Sequence, residues 1–255
     1  MKDGLMKKIL NKLANLLFPE KIKCMFCGKD IPDFDNKPYC DECENTLPFN
    51  KDNRCKICDL EIISNSKICD YCKHTHKTFD KARAPFKYEA RVRKTVLKLK
   101  SDNAKYLAVP MAKLMVNSLD EDMKEIDFII PVPMTDKSIK RRGYNQASLL
   151  ANEIGKILNK PVRSDILIKV KDSNPQKELN FKDRQNNLKG VFSINNRKDI
   201  KSKNILLVDD VMTTSATANI CSDLLKRHCN KVFVSVFARS MVKNNKNSKK
   251  ISKNT

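Results

Sequence analysis

A chain of 255 residues with 40% hydrophobic content can bury the core of one large domain or two modest ones. Lys and Arg number 51 against 30 Asp and Glu, and the formal charge of +21 favours nucleic acid, anionic lipid or phosphorylated ligands as partners. No run of about 18 apolar residues occurs, so no transmembrane helix is expected and the chain reads as soluble.

In the first 20 residues Leu5, Ile9, Leu13 and Leu16, with Met6, Leu10 and Leu17 beside them, lie opposite Lys7, Lys8 and Lys12. This is an amphipathic helix whose apolar face is expected to pack on its own protein, a peripheral membrane contact being the alternative. Lys12 and Asn15 break its apolar run and no small-residue cleavage site follows, so it does not read as a signal peptide. The chain is then cytoplasmic, or held at the inner face of the membrane through that helix. In a reducing compartment its ten cysteines are more often metal ligands than disulfides.

Residues 21–78 carry Cys24-x-x-Cys27, Cys40-x-x-Cys43, Cys55-x-x-Cys58 and Cys69-x-x-Cys72. A Cys-x-x-Cys turn brings two thiolates to one tetrahedral ion, and two turns close a four-cysteine zinc site with no position left for water. Eight ligands make two structural zinc sites in a double zinc-ribbon module. Sequential pairing, the first two pairs together and the last two together, is expected, although spacing also permits a crossed arrangement. Phe26, Tyr39, Phe49 and Tyr71, with His74, His76 and several Lys, could form a nucleic-acid surface, but aromatics in small zinc domains usually fill the little core available.

A domain spanning residues 79–240 follows. Phe79 to Tyr88 reads as extended, Val92, Val96, Leu97 and Leu99 as a short basic helix, and Ala104 to Leu119 as a core-facing helix. Asp127-Phe-Ile-Ile-Pro-Val-Pro133 is a buried strand ending in a loop with Lys137, Lys140, Arg141 and Arg142. Basic residues at the carboxyl end of a strand can receive a pyrophosphate. A helix with Leu149, Leu150, Ile154 and Leu158 follows that loop. Ile166 to Val170, Lys171 to Pro175, Gln176 to Leu188 and Gly190 to Ile194 read as strand, loop, polar helix and strand.

Ile205 to Val208 form a buried strand, and from about Ala216 onward Ile220, Leu224 and Leu225 recur at helical spacing. Between them stand Asp209, Asp210, Thr213, Thr214, Ser215, Ala216 and Thr217. Helix capping would need one acid or hydroxyl. Two acids before a helix N-terminus can take a vicinal diol or a cation while the free N–H groups take a phosphate, which together suit a sugar phosphate. Lys231 to Arg239 is a final Val/Phe-rich strand, and residues 241–255, mostly Lys, Asn and Ser with no acids, are expected to be a disordered basic tail.

The stretch Val208-Asp-Asp-Val-Met-Thr-Thr-Ser-Ala-Thr217 resembles the phosphoribosyl pyrophosphate (PRPP) signature of type I phosphoribosyltransferases, with Ser215 where the family usually has Gly. Glycine permits positive φ and close backbone approach to phosphate. Adding Leu16-Leu-Phe-Pro19, the Cys pairs, Pro131-Val-Pro133, Arg142-Gly-Tyr-Asn-Gln146, Gln176, Arg184, Asn187 and Phe192, the chain over residues 13 to 239 resembles the ComF family. That resemblance implies an α/β fold, a type I phosphoribosyltransferase-like parallel sheet with flanking helices behind a small zinc-ribbon module, and a hood over the site at residues 163–195. It implies that Asp209 and Asp210 meet the ribose hydroxyls, that Thr213, Thr214, Ser215, Ala216 and Thr217 hold the 5-phosphate, and that Arg141 and Arg142 take the pyrophosphate, with Mg²⁺ bridging. Gln176 and Arg184 are hood candidates.

The family is also associated with natural transformation, internalising single-stranded DNA alongside a helicase-like partner. The resemblance therefore implies a protein that binds PRPP with Mg²⁺ and single-stranded DNA and assists DNA uptake. The alternative is an active phosphoribosyltransferase passing phosphoribosyl from PRPP to a nucleobase or other acceptor. Such chemistry would gain mainly from positioning and from stabilising the departing pyrophosphate. A third reading is a non-catalytic membrane or protein adaptor.

Overall fold

The computed structural model describes residues 22–31, 37–50, 53–62, 64, 66–101, 104–171 and 190–240. The N-terminal amphipathic helix, the predicted helix at Gln176 to Leu188 with hood candidates Gln176 and Arg184, and the basic tail lie outside the described residues. Two compact units divide between Leu47 and Pro48.

The described residues of the first unit carry two short strands and one short helix. Strand β1 (Ile22–Lys23) pairs antiparallel with β2 (Asp30–Ile31) across the turn that holds Cys24 and Cys27, and helix α1 (Asp41–Thr46) starts directly after Cys40. Gly28 takes φ +80 to close that turn, its N–H donating to the Cys24 carbonyl at 2.9 Å. Asp41, Glu42 and Glu44 at the positive end of α1 suit its dipole.

The second unit is built on a five-stranded sheet. Its order is β3 (Lys81–Arg83), β9 (Lys231–Arg239), β8 (Asn204–Met212), β5 (Phe128–Pro131), and β4 (Phe86–Lys87) also pairs with β9. Every pairing in this sheet is parallel. Strands β8 and β9 are near-continuous apolar runs because a parallel sheet is covered on both faces. Ile205, Leu207, Val232, Val234 and Val236 share a core with Ala218, Cys221 and Leu225 of α7 (Ala216–Lys226). Alternate residues turn to the other face. There α6 (Gln146–Leu158) brings Gly155 so close to the following chain that a Cβ would meet the Lys160 carbonyl oxygen at 2.8 Å and Val162 Cγ2 at 2.7 Å. Helices α3 (Ala90–Ser101) and α4 (Ala108–Asn117) complete the helical layers, α4 packing against α6. The α/β expectation is thus met: a mostly parallel sheet with flanking helices and an N-terminal cysteine-rich ribbon.

One sequence expectation is corrected. The basic stretch after β5 is a helix, α5 (Asp136–Arg142), and not a loop. Thr135 caps it, accepting from the Ser138 N–H at 3.3 Å, Asp136 stands in its first turn, and Gly143 ends it in the left-handed region at φ 82. Three cations, Lys140, Arg141 and Arg142, occupy its last turn, where the dipole favours them. The strands expected around residues 166–170 and 190–194 form a separate antiparallel ribbon, β6 (Leu167–Lys169) with β7 (Phe192–Ile194). Among the described residues no helix is long and apolar enough to cross a membrane.

Candidate functional site

The cysteines close into two clusters, Cys24, Cys27, Cys40 and Cys43 in one and Cys55, Cys58, Cys69 and Cys72 in the other, so pairing is sequential as expected. Within each, the four sulfurs lie within 4.8 Å of one another. Sγ atoms of Cys24 and Cys43, Cys27 and Cys40, and Cys58 and Cys69 are each 3.6 Å apart. A tetrahedron of thiolates around zinc sets neighbouring sulfurs about 3.8 Å apart, so both clusters fit two structural zinc ions. Backbone amides support the thiolates of the second cluster: the Cys69 N–H donates to Cys55 Sγ and the Cys72 N–H to Cys69 Sγ, both at 3.4 Å.

The second cluster belongs to the unit that carries the sheet. Cys55, Cys58 and Cys69 are buried in the same core as Phe79, Ile205, Leu207 and Val234. The turn at Cys55 to Cys58 leads into Asp59, fully buried and accepting from the Ala84 N–H at 2.7 Å, with Arg54 and Arg83 each 3.4 Å away. Burial pushes the Asp59 carboxyl up to about 6 against the pull of both guanidinium groups. Helix α2 (Asp70–His74) follows Cys69 and carries Cys72 together with Tyr71.

A cleft of about 260 Å³ opens where parallel-sheet ligands are expected, at the carboxyl ends of β5 and β8. Asp209, Asp210, Thr217 and Arg142 all line it. The strand β8 runs on to Met212, so both acids are held on a regular element rather than on the loop. Thr213 to Ser215 form the turn into α7, with Ser215 buried at φ 60 and Ala216 opening the helix. None of residues 213–216 lines the cleft, and Arg141, exposed on α5, does not either. The positive φ at Ser215 is the backbone shape for which the resemblance expects Gly.

Three further lining groups bear on the site, of which Lys100 and Lys169 carry no signal in the sequence. Lys100, at the end of α3, pairs with Asp210 at 2.9 Å, and Lys169 of β6 stands beside Phe192 of β7, its ammonium 5.8 Å from the ring centre. Gln146 is 3% exposed, its Oε1 accepts from Arg142 Nη1 at 3.1 Å, and its Nε2 has no hydrogen-bond partner among the described residues. A buried amide donor left unmade beside a cleft is costly unless a ligand completes it. Gln146 belongs to the Arg142-to-Gln146 stretch already noted, whereas nothing local signals Lys100, whose partner is 110 positions away.

Charge in the cleft is mixed. Burial pushes the Asp209 carboxyl up to about 7 and the adjacent Asp210 carboxylate works the same way, while the Asp210 N–H donated to Asp209 Oδ1 at 2.8 Å opposes them. Burial disfavours the Lys100 ammonium, but Asp210 outweighs it and the amine is held above its ordinary value. Two carboxylates among Lys100, Arg142 and Lys169 suit a ligand with both hydroxyl groups and anionic oxygens.

A family model for the double zinc ribbon domain matches residues 13–73. The chain is 29% identical over 220 residues to Competence protein F of Haemophilus influenzae, covering 84% of this chain and 88% of that protein. It is 25% identical over 179 residues to the DNA utilization protein YhgH of Salmonella typhimurium, covering 68% of this chain and 78% of that protein. YhgH of Escherichia coli K12 is 22% identical over 194 residues, with 74% and 84% covered.

Proposed function

We propose that this chain, a homologue of competence protein F with a double zinc ribbon, binds PRPP with Mg²⁺ in the β8 cleft, binds single-stranded DNA, and serves DNA uptake. The observation that carries the ligand is the cleft itself, which gathers Asp209, Asp210, Arg142 and Thr217 with Lys100 and Lys169. Asp209 and Asp210 would take the ribose hydroxyls, Arg142, with Lys100, the pyrophosphate, and the Thr213 to Thr217 turn the 5-phosphate. Arg141 would reach the pyrophosphate only from outside the cleft, and the hood with Gln176 and Arg184 would cover the ligand. Bound Mg²⁺ would supply charge neutralisation of the pyrophosphate.

The names of the relatives support the DNA-related role. So does an exposed basic face on α3, where Arg93, Lys94 and Lys98 surround Leu97, 45% exposed, with Tyr106, 72% exposed, following. Cations for phosphates and an exposed aromatic ring for bases are the parts that single-strand binding needs. A helicase-like partner and a membrane contact through the N-terminal helix belong to the same proposal.

Calorimetric titration with PRPP and Mg²⁺ tests the cleft, and absence of heat at millimolar ligand rejects it. Anisotropy of a labelled oligonucleotide across a salt series tests the DNA arm. Steep weakening with salt is expected as counterions are released, and no binding at low salt rejects it. Magnesium-dependent release of pyrophosphate with a panel of bases would instead favour the phosphoribosyltransferase reading.

A further inference from the structure

The turn Met212 to Ser215 is gripped from the side of the second cysteine cluster. Arg239, the last residue of β9 and 2% exposed, donates from Nη1 to the carbonyls of Met212 at 2.9 Å and of Thr213. Its Nε donates to the carbonyl of Cys58 at 3.1 Å, and its Nη2 lies 4.0 Å from Cys58 Sγ and 3.5 Å from Ser215 Oγ. Tyr71, between the ligands Cys69 and Cys72, donates its hydroxyl to the carbonyl of Thr214. The chain leaving the cluster also holds the start of α7: Thr78 Oγ1 donates to the Asn219 carbonyl at 2.6 Å, and Asn219 Nδ2 to the His76 carbonyl at 3.0 Å.

A trans peptide plane sets the N–H of each residue opposite the carbonyl of the one before it. Holding the carbonyls of Met212, Thr213 and Thr214 on the cluster side therefore directs the N–H groups of Thr213, Thr214 and Ser215 away from it. Successive N–H groups at the head of a helix are what a phosphate needs. Charge adds a second link. Among the described residues the partners of the buried Arg239 are carbonyls, the Ser215 hydroxyl and Cys58 Sγ, with no carboxylate, whereas a buried guanidinium needs a counter-ion. Four thiolates on one zinc ion carry about two negative charges and supply it.

We infer that the second cluster is the anchor of the phosphate turn: Arg239 and Tyr71 transmit its metal-held shape to Met212–Ser215, and losing that metal, unlike losing the first cluster's, releases the turn. The inference rests on reading the turn as the phosphate site. Arg239 and Tyr71 are positioning residues in this arrangement and touch no ligand.

The experiment compares full-length wild type, Tyr71→Phe, Cys72→Ser and Cys27→Ser by hydrogen exchange of the segment 211–217, bound zinc, and titration with PRPP and Mg²⁺. Tyr71→Phe should retain two zinc ions yet exchange about five- to tenfold faster in that segment and bind PRPP about five- to tenfold more weakly, the worth of one lost hydrogen bond. Cys72→Ser and Cys27→Ser should each drop to one zinc ion, with fast exchange in the turn for the former and wild-type exchange for the latter. Wild-type exchange in Tyr71→Phe, or equal loosening in Cys27→Ser, overturns the inference. Tyr71→Phe keeps all eight ligand thiols and so decides the matter even if Cys72→Ser does not fold. Should wild type bind no PRPP, the ligand reading fails while the exchange data still decide the anchoring.

Discussion

Cys24, Cys27, Cys40 and Cys43 close on one another in a unit whose regular structure, among the described residues, is two 2-residue strands and a 6-residue helix. Cys55, Cys58, Cys69 and Cys72 close in the same way inside the core of a five-stranded sheet. In the first cluster two of the four side chains are buried, in the second three. The same ligand set thus does two jobs: where the described residues offer only a small core, metal adds to it, and where they offer a large one, metal fixes a turn next to a cleft. Composition and spacing are alike in the two, so the difference lies in what each cluster is packed against.

The sharpest way to break that comparison is to remove one cluster at a time and melt the protein. Apparent binding energies of structural zinc are about 10–16 kcal/mol, comparable to the whole stability of a domain. Cys58→Ser is therefore expected to lower the main unfolding transition by tens of degrees or to prevent folding, because it empties a position in the sheet's own core. Cys27→Ser is expected to lose one zinc ion while the main transition moves by only a few degrees. Calorimetry with zinc quantification checks both, and equal shifts would mean that the two clusters are used alike.

A smaller effect is expected within the cleft. Asp209→Ala combined with Asp210→Ala should weaken PRPP binding by more than a hundredfold in calorimetry while circular dichroism stays native, since both acids lie within a strand already fixed by its neighbours. Gln146→Leu should weaken it about tenfold, because the unpartnered Nε2 then has no counterpart to offer the ligand.

The raised pKa of Asp209 gives a prediction with a definite sign. Its ordinary value is 3.8 and burial pushes it up to about 7 in the folded chain. The native state therefore holds this proton more tightly than the unfolded state, and the contribution to stability, complete below about pH 4, is lost as pH rises through 7. Ligand binding that uses the carboxylate should improve over the last part of the same window. Urea midpoints at pH 5 and pH 8 should differ by less in Asp209→Asn than in wild type, and an unchanged difference would place the proton elsewhere.

Much of this was legible in the sequence and some was not. The apolar runs at Ile205 and Lys231 announced β8 and β9, and the four Cys pairs announced two clusters in sequential order, because both signals are local. The charged residues of Asp136–Arg142 lack an apolar stripe, so periodicity predicts a loop where the structure has a helix. Its cap at Thr135 and its Gly143 stop were present in the sequence and carried the better signal. Lys100 and Arg239 could not be assigned at all, since their meaning lies in partners more than 100 positions away, Asp210 for one and Cys58 for the other. Neither residue type nor spacing records which end of a sheet a zinc turn will cover.

The smallest expected effect is at Ser215, where the second cluster and the turn beside the cleft meet. At φ 60 its backbone costs about 1 kcal/mol that glycine would not incur, yet its hydroxyl lies 3.5 Å from Nη2 of the cluster-bound Arg239. Ser215→Gly removes the cost and also the contact, and it loosens the unfolded chain by about 0.5–1 kcal/mol. Stability should therefore change by less than about 1 kcal/mol, and PRPP affinity should be equal or up to about threefold tighter. Ser215→Ala keeps the strained φ and loses only the hydroxyl, so it isolates the link to Arg239 and should bind slightly more weakly than wild type. If the glycine variant binds more weakly than the alanine one, the turn draws its shape from its own backbone restriction rather than from the cluster behind it.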